Sequence, residues 1–261
     1  MRTKMQRKIC HRTGKKGFQG STVIQDEGRR MMEQCMILNF FGGVSQDGSG
    51  WAVDLEKVFY ELGRWLVPIG ICLLAEGVRL ERWGKIELLS RYRYGSIQVW
   101  WRRKFVKSLR DNMFTAVVLV LTAMAADLIS GAGVAEEGWR ALFLWLAHVV
   151  MVMSLFLILD LTGLRGLAPA ILLLLEGFTF LLGFMHMESA RLMYGMWGMY
   201  FQSQWHFGEA GVPVSVSLIS EGIVLAFVYL TGGTFSRGET LSAERVSCCR
   251  RGKRGTDRND A

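Results

Sequence analysis

The stretch ALFLWLAHVVMVMSLFLIL, residues Ala141–Leu159, decides the fold class of this chain. It contains no acidic or basic residue except one histidine, His148. A helix needs roughly 20 predominantly apolar residues to cross the hydrocarbon core of a bilayer, and a helix satisfies its own backbone hydrogen bonds there. The stretch therefore predicts a transmembrane helix over 139–161.

Four more stretches on either side follow the same pattern. Three are uncharged apart from one acidic residue each (Asp127, Glu176 and Glu221), and the fourth is weaker because its uncharged core, 65–75, has only 11 residues. Apolar spans separated by polar connections are typical of polytopic membrane proteins. We therefore predict an all-α polytopic membrane helix bundle, with a membrane domain over 58–232. The five predicted spans are 58–80 (the weaker one), 112–131, 139–161, 167–187 and 213–232.

Composition and charge exclude other classes of protein. The chain has 261 residues, is 51% hydrophobic and carries a formal net charge of +8. The apolar content excludes a disordered chain, and five scattered cysteines do not make a disulfide framework. Because the positive charges lie beside apolar spans, they favour contact with anionic lipid headgroups rather than with nucleic acid.

The distribution of Lys and Arg predicts the orientation in the membrane. The segment 79–110 holds ten basic and two acidic residues, and the tail 233–261 holds seven and four. Cytoplasmic segments carry an excess of Lys and Arg, so we expect both on the cytoplasmic side of the plasma membrane. The loops 130–138 and 188–212 are poor in basic residues and are expected outside.

The N-terminal part of the chain conflicts with this alternation. Residues 1–57 read as a polar, basic tail with one short apolar segment, 36–44, which is interfacial or part of a sixth span. If 58–80 crosses once, the basic tail lies outside. Either the tail is an exception to the charge rule, or 36–44 contributes another crossing, or 58–80 does not cross fully.

The segment 80–107, LERWGKIELLSRYRYGSIQVWWRRKFVK, mixes aromatic residues with Arg and Lys. Aromatic rings at the interface and cations near phosphate are typical of a helix that lies in the headgroup layer. Single-stranded nucleic acid is the alternative ligand for such a composition, but the position between two apolar spans favours the membrane. We predict a cytoplasmic in-plane elbow over 80–107, divided into two short helices at Gly95-Ser96.

Two motifs in this chain resemble bacterial type-two ABC export permeases, over roughly 58–236. One is YGMWGMYFQS at Tyr194–Ser203, which is similar to a Trp-Gly-Met segment in the last outer loop of such permeases. The other is an Arg-x-Arg-x-Gly-Ser segment followed by tryptophans and a basic cluster, which is similar to their cytoplasmic stretch after an early span. Its residues are Arg91, Arg93, Gly95, Ser96, Trp100, Trp101, Arg102, Arg103 and Lys104.

The resemblance implies a function and partners. Such permeases have no catalytic residues and no cofactor of their own. They pair with a separate ABC ATPase subunit, and a second permease half or a second copy of the chain completes the substrate path. The residues of the second motif would then transmit force from the ATPase, and the transported compound would be an amphiphile or a peptide leaving the cell.

Three ionisable residues, His148, Glu176 and Glu221, are expected near mid-depth. Such residues face the bundle interior, pair, or mark an ion path. One interpretation is that they hold helices together by hydrogen bonds, and the other is a proton or cation path. Glycine directly follows glutamate in three spans and favours the first, because glycine lets a neighbouring helix approach. These glycines are Gly77, Gly177 and Gly222.

Two functions of other classes therefore remain open beside the exporter permease. One is a membrane-resident immunity or accessory protein that transports nothing. The other is a proton- or cation-coupled carrier that uses His148, Glu176 and Glu221. Asp127 and Asp160 lie near the ends of predicted spans, and we expect their carboxylates to reach headgroups or water.

Motifs of several enzyme and metal-binding classes are missing. The chain has no Gly-x-x-x-x-Gly-Lys-Ser/Thr loop, no His-Glu-x-x-His and no Gly-x-Ser-x-Gly. The segment 185–206 is rich in Met and His, which are ligands for Cu(I), but Met is more often a packing residue. We expect no enzyme activity, no metal site and no cofactor.

Overall fold

The computed structural model describes residues 35–43, 55–131, 136–185 and 192–234. These ranges consist of α-helices joined by turns and short 3-10 segments, with no β-strand among them, so the all-α prediction is confirmed. Most of the predicted N-terminal tail 1–57 and of the predicted C-terminal tail 233–261 lies outside the described residues. The helices are α1 Met36–Phe41, α2 Leu55–Arg93, α3 Ile97–Ser130, α4 Glu136–Leu161, α5 Ala168–Met185, α6 Gln204–Phe207 and α7 Val214–Thr234.

Four helices are long and apolar enough to cross a membrane. These helices are Val58–Trp83, Ile97–Ser130, Glu136–Leu161 and Val214–Thr234. In the same order, they contain the predicted spans 58–80, 112–131, 139–161 and 213–232, to within one residue at the ends. The fifth predicted span, 167–187, corresponds to α5, which is apolar but has only 18 residues. The composition and length of these helices are those of a multi-pass membrane protein.

Helix α4 forms the centre of the bundle. Its most apolar 18-residue window is 61% buried, whereas the corresponding windows of α3 and α7 are only 11% and 17% buried. A helix that is apolar on all sides and buried on most of them lies inside a bundle, whereas exposed apolar faces on outer helices suit contact with lipid. The helix that contains the unbroken apolar run Ala141–Leu159 is therefore the core helix of the bundle.

Helices α2 and α3 form one long antiparallel hairpin. At 1.5 Å per residue, the 39 residues of α2 extend about 58 Å, which exceeds the roughly 30 Å of a hydrocarbon core. A turn at Tyr94–Ser96 joins the helices, and Gly95 adopts a left-handed φ of 61° there. We call this side of the bundle the hairpin end.

The predicted break at Gly95-Ser96 is confirmed. The helices on either side of it are not short and are not separate from the predicted spans. Residues 80–93 continue α2 without interruption, and residues 97–107 are the first turns of α3. The segment 80–93 contains no proline and is rich in Glu, Arg, Lys and Leu, which are good helix formers. Nothing in this segment stops the helix before Gly95.

Within the apolar segment 36–44, Met36–Phe41 form a short buried helix rather than a span. Helix α1 has six residues and packs against α2, α3 and α4 with Ile37, Leu38 and Phe41 buried. Six residues rise about 9 Å, so α1 is too short to cross. It lies at the end of the bundle opposite the hairpin, beside the last turn of α3.

Asp127 holds this short helix in place. Its carboxylate accepts hydrogen bonds from the backbone N–H groups of Met36 (2.5 Å) and Ile37 (3.0 Å) and from the Cys35 thiol (3.3 Å). The first N–H groups of a helix have no partner within it, and a carboxylate satisfies them and opposes the helix dipole. The expectation that Asp127 reaches headgroups or water is wrong, because its side chain is fully buried.

Candidate functional site

The three ionisable residues expected at mid-depth meet in one buried cluster, which we call the polar triad. His148 comes from the middle of α4, Glu176 from α5 and Glu221 from α7. His148 Nε2 lies 2.8 Å from Glu176 Oε1, and His148 Nδ1 lies 3.0 Å from Glu221 Oε1. His148 and Glu176 have no exposed surface, and Glu221 is 4% exposed.

The geometry of the triad limits its protonation states. A neutral imidazole has one donor and one acceptor nitrogen, whereas an imidazolium has two donors. Each ring nitrogen of His148 faces a carboxyl oxygen. The contacts are satisfied by an imidazolium between two carboxylates, by an imidazolium with one carboxylate and one carboxylic acid, or by a neutral imidazole that donates to a carboxylate and accepts from a carboxylic acid. The second state is electrically neutral, which a low-dielectric interior favours, and the other two states hold one proton fewer.

Two aromatic rings enclose the histidine. The Tyr194 ring stacks on His148 with centroids 5.8 Å apart and an interplanar angle of 27°, and the Trp65 ring lies 6.0 Å away. The Tyr194 hydroxyl and Glu176 Oε2 are both buried, and the hydroxyl lies close enough to the Glu176 carboxyl group to interact with it. Tyr194 therefore adds a polar contact to the triad from the loop.

The segment that resembles the Trp-Gly-Met motif covers the triad. Met196, Met199 and Tyr200 are at most 2% exposed, so this part of the loop 188–212 enters the bundle. The backbone N–H of Phe201 donates to the Gly42 carbonyl at 2.9 Å, which ties the loop to the end of α1.

Two glycines of this segment permit the close approach. A Cβ atom at Gly198 would overlap the Cβ and Cγ atoms of His148, and one at Gly195 would overlap Thr179 Oγ1 and lie 3.1 Å from Glu176 Oε2. The sequence does not predict that Tyr194, Gly195 and Gly198 lie beside the mid-depth cluster. Glycines three residues apart in an apolar loop were the available signal.

The glycines that follow glutamate in the spans do not have this role. A Cβ atom at Gly222 would meet nothing within 4 Å, and at Gly77 and Gly177 it would make only ordinary contacts of 3.9 and 4.0 Å. The interpretation that these glycines bring neighbouring helices unusually close is therefore wrong. The close approach to the glutamates is made by the loop instead.

The residues of the basic motif have different surroundings in the structure. Arg93, Gly95 and Ser96 are exposed at the hairpin turn, whereas Trp100 and Trp101 are buried. Trp101 Nε1 donates to the Tyr229 carbonyl at 3.0 Å, which docks the start of α3 onto the end of α7. Three cations of the motif contact aromatic rings: Arg102 lies over Tyr229, Arg103 over Tyr94 and Lys104 over Trp100. The side chain of Arg91 lies outside the described residues.

Lys104 belongs to an ion-pair network rather than to a free basic surface. Its Nζ lies 2.7 Å from Asp160 Oδ2, and Arg165 Nε donates to Asp160 Oδ1. Arg165 also donates to the Leu80 carbonyl at 3.2 Å, so the network joins α2, α3 and α4. The expectation that Asp160 reaches headgroups or water is wrong, since it is 6% exposed and paired with two cations.

Comparison with known proteins adds no functional assignment. No family model, no curated protein and no solved structure matches this chain. Among the described residues, no group of three or more His, Cys, Asp or Glu side chains has an arrangement that could hold a metal ion. The function must therefore be argued from the triad and the hairpin themselves.

Proposed function

We propose that this protein is a multi-pass membrane carrier in which the polar triad takes up and releases one proton during transport. The observation that carries the proposal is the buried contact of His148 with both Glu176 and Glu221. Ionisable residues at mid-depth in membrane proteins commonly belong to proton relays. The carrier needs no cofactor and performs no covalent chemistry.

The three groups come from different helices, which supports coupling between proton uptake and helix movement. Each side chain comes from a different helix, so a change in the charge of the triad alters the contacts of α4, α5 and α7 with one another. Loss of one proton from the neutral state leaves an uncompensated negative charge in the interior, which is strongly unfavourable. Such a charge favours a conformation in which the site reaches water or a cationic substrate group.

The loop over the triad supports a gate at the same place. Gly195 and Gly198 let Tyr194 lie against His148 and Glu176, and the buried hydroxyl of Tyr194 interacts with the Glu176 carboxyl group. Withdrawal of this short loop opens the triad towards the end of the bundle opposite the hairpin. The bond from the Phe201 N–H to the Gly42 carbonyl holds the loop against α1, and it would break on withdrawal.

Everted vesicles with an imposed pH gradient test this proposal. A panel of amphiphilic compounds is added, and the fluorescence of a pH-gradient dye reports proton movement that depends on the protein and on the compound. The matched variants are Glu176→Gln in the triad and Glu136→Gln at an exposed site, where the carboxylate only pairs with Arg140 on the same helix. We expect Glu176→Gln to abolish the response and Glu136→Gln to retain it. An unchanged response in Glu176→Gln would refute the proton role.

A second candidate function is the permease subunit of an ABC-type exporter, and the hairpin is the observation that favours it. The hairpin is longer than the hydrocarbon core and exposes Arg93 and Arg102 near its turn. A separate ABC ATPase subunit would dock there on the cytoplasmic side, with the C-terminus on the same side. The exposed apolar faces of α3 and α7 suit lipid, a second permease half or a second copy of the chain.

The ion-pair network determines how this candidate is tested. Reversal of Lys104 to Glu would place a second acid beside the buried Asp160 carboxylate and perturb folding, so the better variant is Arg93→Glu/Arg102→Glu. The control is Arg110→Glu, an exposed cation far along α3 from the turn. Under the exporter candidate, the double variant loses ATP-dependent export while remaining in the membrane. Export unaffected by the double variant argues against ATPase docking at the hairpin, and absence of any flux favours a non-transporting accessory protein.

A further inference from the structure

A cavity of about 210 Å³ lies between the arms of the hairpin. It is bounded by the second half of α2 and the first half of α3, on the hairpin side of the polar triad. One water-sized group needs only about 10–15 Å³ by a comparable measure, so the cavity has room for a larger ligand group. It is distinct from the triad, and none of the three triad residues contributes to its wall.

The wall of the cavity has an excess of positive charge. It contains four cations and two acids, namely Arg79, Arg103, Lys104, Lys107, Glu76 and Asp111. Two of the cations have fixed partners: Lys104 pairs with Asp160, and Arg79 donates to Thr115 at 2.5 Å and lies 3.5 Å from Glu76. Their positions are set by the fold and do not depend on a ligand.

The other two cations contact aromatic rings, and Lys107 also lies within electrostatic reach of Asp111 and Glu76. Arg103 lies 4.7 Å above the centre of the Tyr94 ring, and Lys107 lies over the Trp83 ring. In the described part of the chain, neither makes an ion pair with a carboxylate. A cation on an aromatic face keeps most of its capacity to bind an anion. Two such cations one helical turn apart on α3 lie on the same side of the helix and can bind one phosphoryl group together.

The remaining wall is apolar. Leu80 and Trp100 are buried, and the Trp83 ring is half exposed at the rim. A ligand that fits this combination has a phosphoryl anion next to an apolar part. The position of the cavity near the predicted boundary of the hydrocarbon core matches the depth of a lipid headgroup.

We propose that this cavity is a binding site for a phosphoryl anion, in which Arg103 and Lys107 hold the phosphate of an anionic phospholipid and Trp83 contacts its apolar part. The site does not depend on whether the protein transports anything. It would fix the hairpin relative to the bilayer through a specific bound lipid. A free phosphate has the same anionic group, so the experiment separates the two sources.

The test uses the purified full-length protein in a neutral detergent. Binding of a short-chain phosphatidylglycerol is titrated by native mass spectrometry, and inorganic phosphate is titrated in parallel. The cavity variant is Arg103→Gln/Lys107→Gln, and the matched control is Arg102→Gln/Arg110→Gln, which removes the same charge from the same helix outside the cavity wall. A charge-preserving variant, Arg103→Lys/Lys107→Arg, distinguishes the loss of the two charges from a loss of folding.

We expect saturable lipid binding that weakens about tenfold or more in the cavity variant, which corresponds to a loss of about 1.4 kcal/mol or more. The control and the charge-preserving variant should stay within about threefold of the parent, because general attraction alone is small outside a specific site. Phosphate binding with the same dependence on the variants would support the anion site and identify free phosphate as a sufficient ligand. Equal weakening in the cavity variant and the control, or no saturable binding of either probe, would overturn the proposal.

Discussion

A matched pair of glycine substitutions, Gly198→Ala and Gly222→Ala, tests the placement of the loop on the polar triad. At Gly198 the new methyl group would overlap the His148 side chain, whereas at Gly222 it would meet no atom within 4 Å. Overpacking of a buried contact destabilises by about 1–3 kcal/mol. At Gly222, inside α7, alanine removes the helix penalty of glycine and stabilises by about 0.5–1 kcal/mol.

The expected shifts in melting temperature follow from these free energies. For a chain of this size, 1 kcal/mol corresponds to about 2–4 °C. Gly198→Ala should therefore lower the Tm in detergent by about 2–12 °C, and Gly222→Ala should raise it by about 1–4 °C. Differential scanning fluorimetry of the purified variants measures both. If Gly222→Ala destabilises and Gly198→Ala does not, the glutamate-adjacent glycines make the close contacts and the loop does not lie on His148.

Three further predictions concern residues outside the triad. Asp127→Ala should lower stability by about 1–2 kcal/mol, because the first N–H groups of α1 lose their acceptor; an unchanged Tm would show that this carboxylate is solvated. Lys104→Gln should lower the Tm by several degrees more than Arg110→Gln, since it removes a partner of a buried carboxylate, and equal effects would argue against the Lys104–Asp160 contact. Burial raises the pKa of the Cys35 thiol above its ordinary value of 9.0, so less thiolate forms at neutral pH. Cys35 should therefore resist a maleimide in the folded protein and react after SDS treatment, as measured by mass spectrometry. Fast labelling of Cys35 in the folded protein would contradict its burial.

The spans could be predicted from the sequence because the signal is local. An uncharged run such as Ala141–Leu159 satisfies the length and composition required for a membrane helix without reference to any other part of the chain. The same is true of the turn at Gly95, where a glycine interrupts a polar stretch. The length of the hairpin arms could not be predicted in this way, because the basic aromatic composition of 80–107 suits an interfacial helix as well as the extension of a span.

The contacts of the polar residues depend on the arrangement of the helices. His148 is 28 residues from Glu176 and 73 from Glu221, and no periodicity within one span specifies which faces meet. Asp127 and Asp160 were misjudged for a related reason. A carboxylate near the end of a span reaches water unless another element covers it, and the covering elements, α1 and the first turns of α3, are distant in sequence.

Infrared spectroscopy detects whether the triad holds a protonated carboxyl group. We expect the purified protein to show a pH-dependent band of this group that disappears in Glu176→Gln or Glu221→Gln. The Tm of these variants should stay within about 2–4 °C of the parent, because Gln keeps the shape and replaces a charge-assisted hydrogen bond with a neutral one at about 1 kcal/mol. Glu136→Gln, at an exposed pair, should leave the band unchanged. A band that is insensitive to both triad substitutions, or triad variants that retain full proton-linked transport, would show that the triad does not take up and release the proton.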